Sequence, residues 1–166
     1  EIERGIGEER GALEPGKTLT ALRGGQPGGG LEGREFREKA NAVRVTRKGG
    51  VAIILAECRD GIGPSTFVNW LKRHESSKEM EEELVRHFEF GAHKSFFLAR
   101  LTEKADVFLV SSLPQKSLQG LFVSPMVSMK GALRRAYEKL GPKPLTCILP
   151  QGGLVFPWVG RMPSRT

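Results

Sequence analysis

Val51-Ala52-Ile53-Ile54-Leu55-Ala56 is an unbroken apolar run, followed at once by Glu57-Cys58-Arg59-Asp60-Gly61-Ile62-Gly63. A strand with one wet face alternates apolar and polar residues. A continuous run of this length is expected where helices cover both faces of a parallel sheet. Val107-Phe108-Leu109-Val110 and Leu145-Thr146-Cys147-Ile148-Leu149 have the same character, so three covered strands are expected.

Helical patterns lie between these runs. Ser76 and Glu79 have capping-box spacing, in which a serine oxygen and a glutamate satisfy each other's orphan amides. Met80, Leu84 and Phe88 then recur every fourth residue. A second helix is expected over 92–105, burying Phe97, Leu101 and Ala105. A third, over 129–140, places Met129, Ala132, Leu133, Ala136, Tyr137 and Leu140 on one face and Lys130, Arg134, Glu138 and Lys139 on the other. Gly141-Pro142 stops it. The order strand, helices, strand, helix, strand implies right-handed crossovers, and hence an α/β, Rossmann-like three-layer sandwich with a mostly parallel sheet.

Upstream, Gly24-Gly25-Gln26-Pro27-Gly28-Gly29-Gly30 is too rich in glycine for a helix or a central strand. Thr18 to Leu22 could add a short strand, and 32–45 has helical spacing at Phe36, Ala40 and Val43. The organisation expected is a poorly defined, Gly-rich segment over 1–40, an α/β domain over 41–157 and a tail over 158–166. The first residue is Glu1 rather than Met, consistent with a piece of something longer.

Composition narrows the function. At 166 residues and 39% hydrophobic content the chain has room for one core. No apolar run approaches the roughly 20 residues of a membrane span, and no signal peptide is visible. Two cysteines, Cys58 and Cys147, are too few for a disulfide framework and suggest reduced thiols in a cytoplasmic protein. The net charge of +7 is spread along the chain, with excesses of +2, +3 and +2 over residues 1–50, 51–150 and 151–166. Without a basic stripe or a stacking platform, nucleic acid is not an expected partner.

Ligands of such sheets collect beyond the carboxyl ends of the strands. That rim should comprise the Glu57–Gly63 loop, Ser111-Ser112 and Pro150-Gln151-Gly152-Gly153. In the loop, Arg59 and Asp60 could simply pair. Gly61-Ile62-Gly63 is not a dinucleotide fingerprint, since Thr66 occupies the third glycine position and the acids Glu81-Glu82-Glu83 fall inside a helix. The second candidate is Gly91-Ala92-His93-Lys94 at a helix start. Outward-pointing amides, a lysine and a titratable histidine there would suit a small carboxylate. A capping loop with a solvated lysine fits the same residues. His74 and His87 read as exposed. No zinc spacing, phosphate loop or nucleophile elbow occurs, and nothing orients Cys58 and His93 as nucleophile and base. No catalytic or metal-binding residue is assigned.

Gly49-Gly50-Val51 through Gly63, Phe90-Gly91-Ala92-His93-Lys94, Leu98-Ala99-Arg100 and Ala105-Asp106-Val107 together resemble the C-terminal domain of the lactate racemase family, over about residues 41–157. The resemblance implies a two-domain isomerase, a racemase or epimerase of 2-hydroxy acids. Its nickel pincer nucleotide takes a hydride from C2 and returns it to either face. The acid/base histidines, the nickel ligand and the cofactor-holding lysine belong to an N-terminal catalytic domain and have no match here. This chain would then be the part that closes the cleft over substrate, inactive and cofactor-free by itself. His93 and Lys94 would contact the substrate, with Glu57, Arg59, Asp60 and Gly61 forming the cleft wall. The family's glutamine-rich helix start is replaced here by Gly91-Ala92-His93-Lys94. The alternatives are a non-catalytic interaction module on the same fold, or an independent nucleotide-binding enzyme.

Overall fold

A computed structural model describes residues 18–23, 31 and 41–150. Five strands form one sheet: β1 (Thr18–Arg23), β2 (Val51–Leu55), β3 (Asp106–Val110), β4 (Ser124–Met126) and β5 (Leu145–Leu149). Their order is β4-β3-β2-β1-β5, and every neighbouring pair is parallel. Three helices, α1 (Ser65–Arg73), α2 (Ser77–Arg86) and α3 (Ala92–Thr102), connect β2 to β3. A 3-10 turn (Gln115–Leu118) leads toward β4, and α4 (Met129–Leu140) returns the chain to β5 at the opposite edge. The architecture is the Rossmann-like α/β sandwich read from the sequence.

Register explains the two cores. Leu19 pairs with Val51, and Ile53 with Phe108. These four side chains meet Ala132, Ala136 and Leu140 of α4 in one buried cluster. The alternate residues Ala52, Ile54, Val107 and Leu109 face the other way, into a larger cluster with Phe67, Trp70 and Leu71 of α1 and Leu98 of α3. Each fully buried Phe, Leu or Ile contributes about 1.5–3 kcal/mol relative to exposure.

Several expectations require correction. The early strand expected at Thr18 to Leu22 forms, and it is an inner member of the sheet, paired on both sides. β5 is the edge, and Leu145 (48% exposed) and Ile148 (68%) are open rather than covered on both faces. The second helix ends at Thr102, and it buries Ala92, Ser95, Leu98 and Ala99 while Phe97 is half exposed. These small residues let α3 approach α1 closely, where the Ser95 hydroxyl donates to the Phe67 carbonyl at 3.0 Å. Phe88 lies beyond the end of α2 and is exposed, and Tyr137 is also exposed. Of the helix expected over 32–45, residues 41–45 are helical with Ala42 and Val43 buried, while Phe36 and Ala40 lie outside the described residues. The capping box forms with one change. Glu79 N donates to Ser76 Oγ at 3.3 Å, but the Glu79 carboxylate accepts from Glu75 N, not Ser76 N.

Candidate functional site

The carboxyl ends of β2 and β3 are tied together. Ser112 donates to the Glu57 carbonyl through both its amide (3.3 Å) and its hydroxyl (2.5 Å). Beyond Glu57 the chain turns sharply, with Gly61 N donating to Cys58 O at 3.0 Å. Cys58 is buried at φ +57°, a conformation that costs a non-glycine residue roughly 1–2 kcal/mol. Gly61 follows at φ +83°, and its carbonyl accepts from Leu31 N at 3.1 Å. The Arg59 Nε meets Glu57 Oε1 at 2.8 Å, and that hydrogen bond raises the guanidinium pKa further. Of the third rim segment, Pro150 alone is described, while Gln151, Gly152 and Gly153 lie outside the described residues.

His93 and Lys94 reach this rim through the packing of α3. The amino end of β2 holds the far end of the helix, since Gly49 N donates to Lys104 O (2.8 Å) and Asp106 N to Gly50 O (3.0 Å). Eleven helical residues span about 16 Å, as do five strand residues, so α3 starts level with the carboxyl ends of the strands. The first turn of α1, continuous with the Glu57–Gly63 loop, abuts that start: a Cβ added at Gly91 would lie 3.9 Å from Thr66 Cγ2.

The helix start itself is uncapped by side chains. Gly91 sits at φ +94°, no side chain among the described residues caps the first turn, and that turn carries no acidic residue; the Ala92 and Lys94 amides donate to the Glu89 and Gly91 carbonyls, both at 3.1 Å. α2, by contrast, has both Ser76 and Glu79 at its start. The His93 ring lies between aromatic neighbours, stacked on Phe88 (6.3 Å between centroids) and edge-on to Phe90 (6.1 Å). Its Nδ1 is buried and makes no hydrogen bond within the described residues. Phe88 (68%), Phe90 (85%) and nearby Val85 (83%) are among the most exposed large apolar side chains described.

Behind the corner stands a network that sequence reasoning missed. His74 is buried rather than exposed: its Nδ1 lies 2.8 Å from the Trp70 carbonyl and its Nε2 2.8 Å from Glu83 Oε2. That bond, with Arg73 beside it, holds the Glu83 carboxyl below the usual range. The buried Trp70 indole donates to the Glu89 carboxylate. The spacing of Trp70 and His74, one helical turn apart, was the available signal. His87 is exposed, as expected. Cys58 and Cys147 are unbridged, and burial raises the Cys147 thiol pKa.

An all-parallel sheet with helices packed on it defines a Rossmann-like α/β domain. The chain matches the lactate racemase C-terminal domain family over residues 37–156 and belongs to that family. Among solved structures it is similar to the lactate racemase apoprotein from Thermoanaerobacterium thermosaccharolyticum, with a TM-score of 0.72 and 24% sequence identity. The match covers 86% of this chain and 36% of the racemase, so the chain spans about a third of that protein's length. A comparison with curated proteins finds no match. No helix among the described residues is long and apolar enough to cross a membrane.

Proposed function

We propose that this chain is the cleft-closing, substrate-contacting C-terminal domain of a nickel-pincer-dependent 2-hydroxy acid racemase or epimerase, inactive without an N-terminal catalytic domain. The observation that carries the reading is the His93–Lys94 corner. It combines an uncapped helix start, a lysine and a buried imidazole nitrogen without a partner, on the rim where ligands of this fold gather. A substrate carboxylate would lie at the positive end of α3 against the Lys94 ammonium, with His93 supplying a further hydrogen bond. Exposed Phe88 and Phe90 would be covered when the second domain closes, excluding water from the bound acid and strengthening these contacts. The Glu57–Gly61 loop, braced by the Arg59–Glu57 pair, would form the facing wall.

The described residues bring no three His, Cys, Asp or Glu side chains together as a metal site. No chemical step is assigned to this chain. In this reading the cofactor, its nickel and the acid/base groups belong to the N-terminal domain, and the working compartment is the cytoplasm.

The test mixes this chain with a cofactor-loaded N-terminal half and follows the loss of optical purity of several 2-hydroxy acids. Activity should require both parts. A charge-assisted hydrogen bond is worth about 1.5–3 kcal/mol, so Lys94→Ala should lower kcat/KM roughly ten- to hundredfold. Unchanged kinetics would remove Lys94 from the site.

A further inference from the structure

We propose that Glu89 is a positioning residue: through its bond to Trp70 it fixes the turn that presents His93 and Lys94. This rests on the reading of that corner as the substrate-binding end of the domain.

Glu89 is held at two points. Its side-chain Oε2 accepts the Trp70 indole N–H, and its backbone carbonyl accepts Ala92 N at 3.1 Å. The first bond reaches back into the core, because Trp70 is only 2% exposed. The second closes the turn through left-handed Gly91, after which Lys94 N donates to Gly91 O at 3.1 Å. The indole is itself restrained. The His74 ring stacks on it at 4.8 Å, and the Arg73 guanidinium lies 5.0 Å from its centroid. Both residues are anchored to Glu83, Arg73 at 2.5 Å and His74 at 2.8 Å.

A chain of contacts therefore runs from Glu83 through His74 and Arg73 to Trp70, then Glu89, and ends at the turn before the corner. Glycine at position 91 gives that turn little stiffness of its own, so a tether from a rigid element is what sets its direction. Engaging the Glu89 carboxylate with Trp70 also commits a nearby anion to a partner other than the α3 start, where it would compete with a substrate carboxylate.

Amide hydrogen exchange on the full 166-residue chain, read by NMR, tests the proposal without any substrate. It therefore stands or falls separately from the racemase reading. Glu89→Ala should speed exchange at Ala92 and Lys94, the two bonded amides of the turn, at least tenfold relative to amides of β2 and β3. Glu89→Gln, which keeps an oxygen acceptor, should restore rates to within about threefold of the parent. Trp70→Phe removes the donor but keeps a ring, and should loosen the same amides. It also serves if Glu89→Ala fails to fold. If Glu89 merely satisfied the buried indole, the Trp70 N–H resonance would move while exchange at Ala92 and Lys94 kept its ratio to the sheet. That outcome, or a Trp70→Phe chain with unaltered exchange at Ala92 and Lys94, overturns the proposal.

Discussion

The two ends of the sheet are built to opposite rules. At the amino ends, polar groups are tightly paired and backbones nearly touch. The Lys104 ammonium donates to the Val43 and Arg44 carbonyls at 3.0 and 2.9 Å, and burial lowers its pKa. Buried Thr46 hydrogen-bonds with the Thr20 hydroxyl and donates to the Ala42 carbonyl, both at 2.8 Å. Lys139 meets Asp106 at 2.5 Å. Thr18 Oγ1, buried without a partner among the described residues, is the exception at that end. At the carboxyl ends lie the left-handed Cys58, the αL turn at Gly91, the unpartnered His93 nitrogen and the exposed aromatics. Unsatisfied and strained groups concentrate where a protein acts on something else. The contrast teaches that one end is closed by paired polar groups while the other keeps exposed aromatics and strained turns, the end to which the proposed function assigns the ligand and the covering domain.

The sharpest way to break this contrast is at Gly50. A Cβ there would lie 2.6 Å from the Thr18 carbonyl, 2.7 Å from Thr46 Cγ2 and 3.0 Å from the Arg47 carbonyl. Two of these are backbone atoms that cannot swing aside, so Gly50→Ala must push β1 away from β2. Overpacking of this kind costs about 3 kcal/mol, and a urea melt should show the midpoint falling accordingly. Thr46→Val at the same end keeps the volume but loses the hydroxyl. It should cost roughly 1–2 kcal/mol by the same melt, and a neutral result would mean that the Thr46–Thr20 pair is not a real brace.

His93 should respond with the opposite sign. An unpaired buried nitrogen destabilises the chain that carries it, and removing it relieves that cost. His93→Phe is expected to raise stability by up to about 1 kcal/mol while lowering kcat/KM in the reconstituted enzyme roughly ten- to hundredfold. A stability–function trade-off of this sign marks a residue retained for its chemistry. Loss of stability in His93→Phe would reassign the ring to the fold.

How much of this was legible beforehand follows the same division. The continuous run at Val51 located β2 because a doubly covered strand leaves an unmistakable pattern. β1 was harder: Thr18-Leu19-Thr20 places buried hydroxyls where an apolar run would have announced an inner strand, and one of them is matched by Thr46. β4 is only Ser124-Pro125-Met126, too short to show a period. The apolar residues of β5 identified a strand but could not identify an edge, since exposure depends on which strand lies beside it. In α3 a periodicity built on large side chains selected Phe97, whereas the buried stripe is made of Ala92, Ser95 and Ala99. The Gly91–Lys94 element was readable as a helix start because backbone amides and a lysine advertise themselves locally. Trp70 and Glu89, 19 residues apart, become partners only once α1 and α3 pack together.

Phe90 offers the smallest expected effect on stability and the most specific one. Its ring is 85% exposed, so the folded chain gains little from it. Substitutions at such positions normally stay within about 0.5 kcal/mol, and Phe90→Ser should leave the urea midpoint of the isolated chain almost unmoved. The ring nevertheless stands edge-on to His93 at the rim, where a covering domain would bury it. The same substitution should therefore weaken association with the N-terminal half, measured as a higher chain concentration needed for half-maximal racemisation. Equal destabilisation of the isolated chain would show that Phe90 belongs to the fold. Unaltered stability with unaltered half-saturation would show that the aromatic rim faces solvent even in the assembled enzyme, and the division between a finished and an unfinished end of the sheet would then stop at His93.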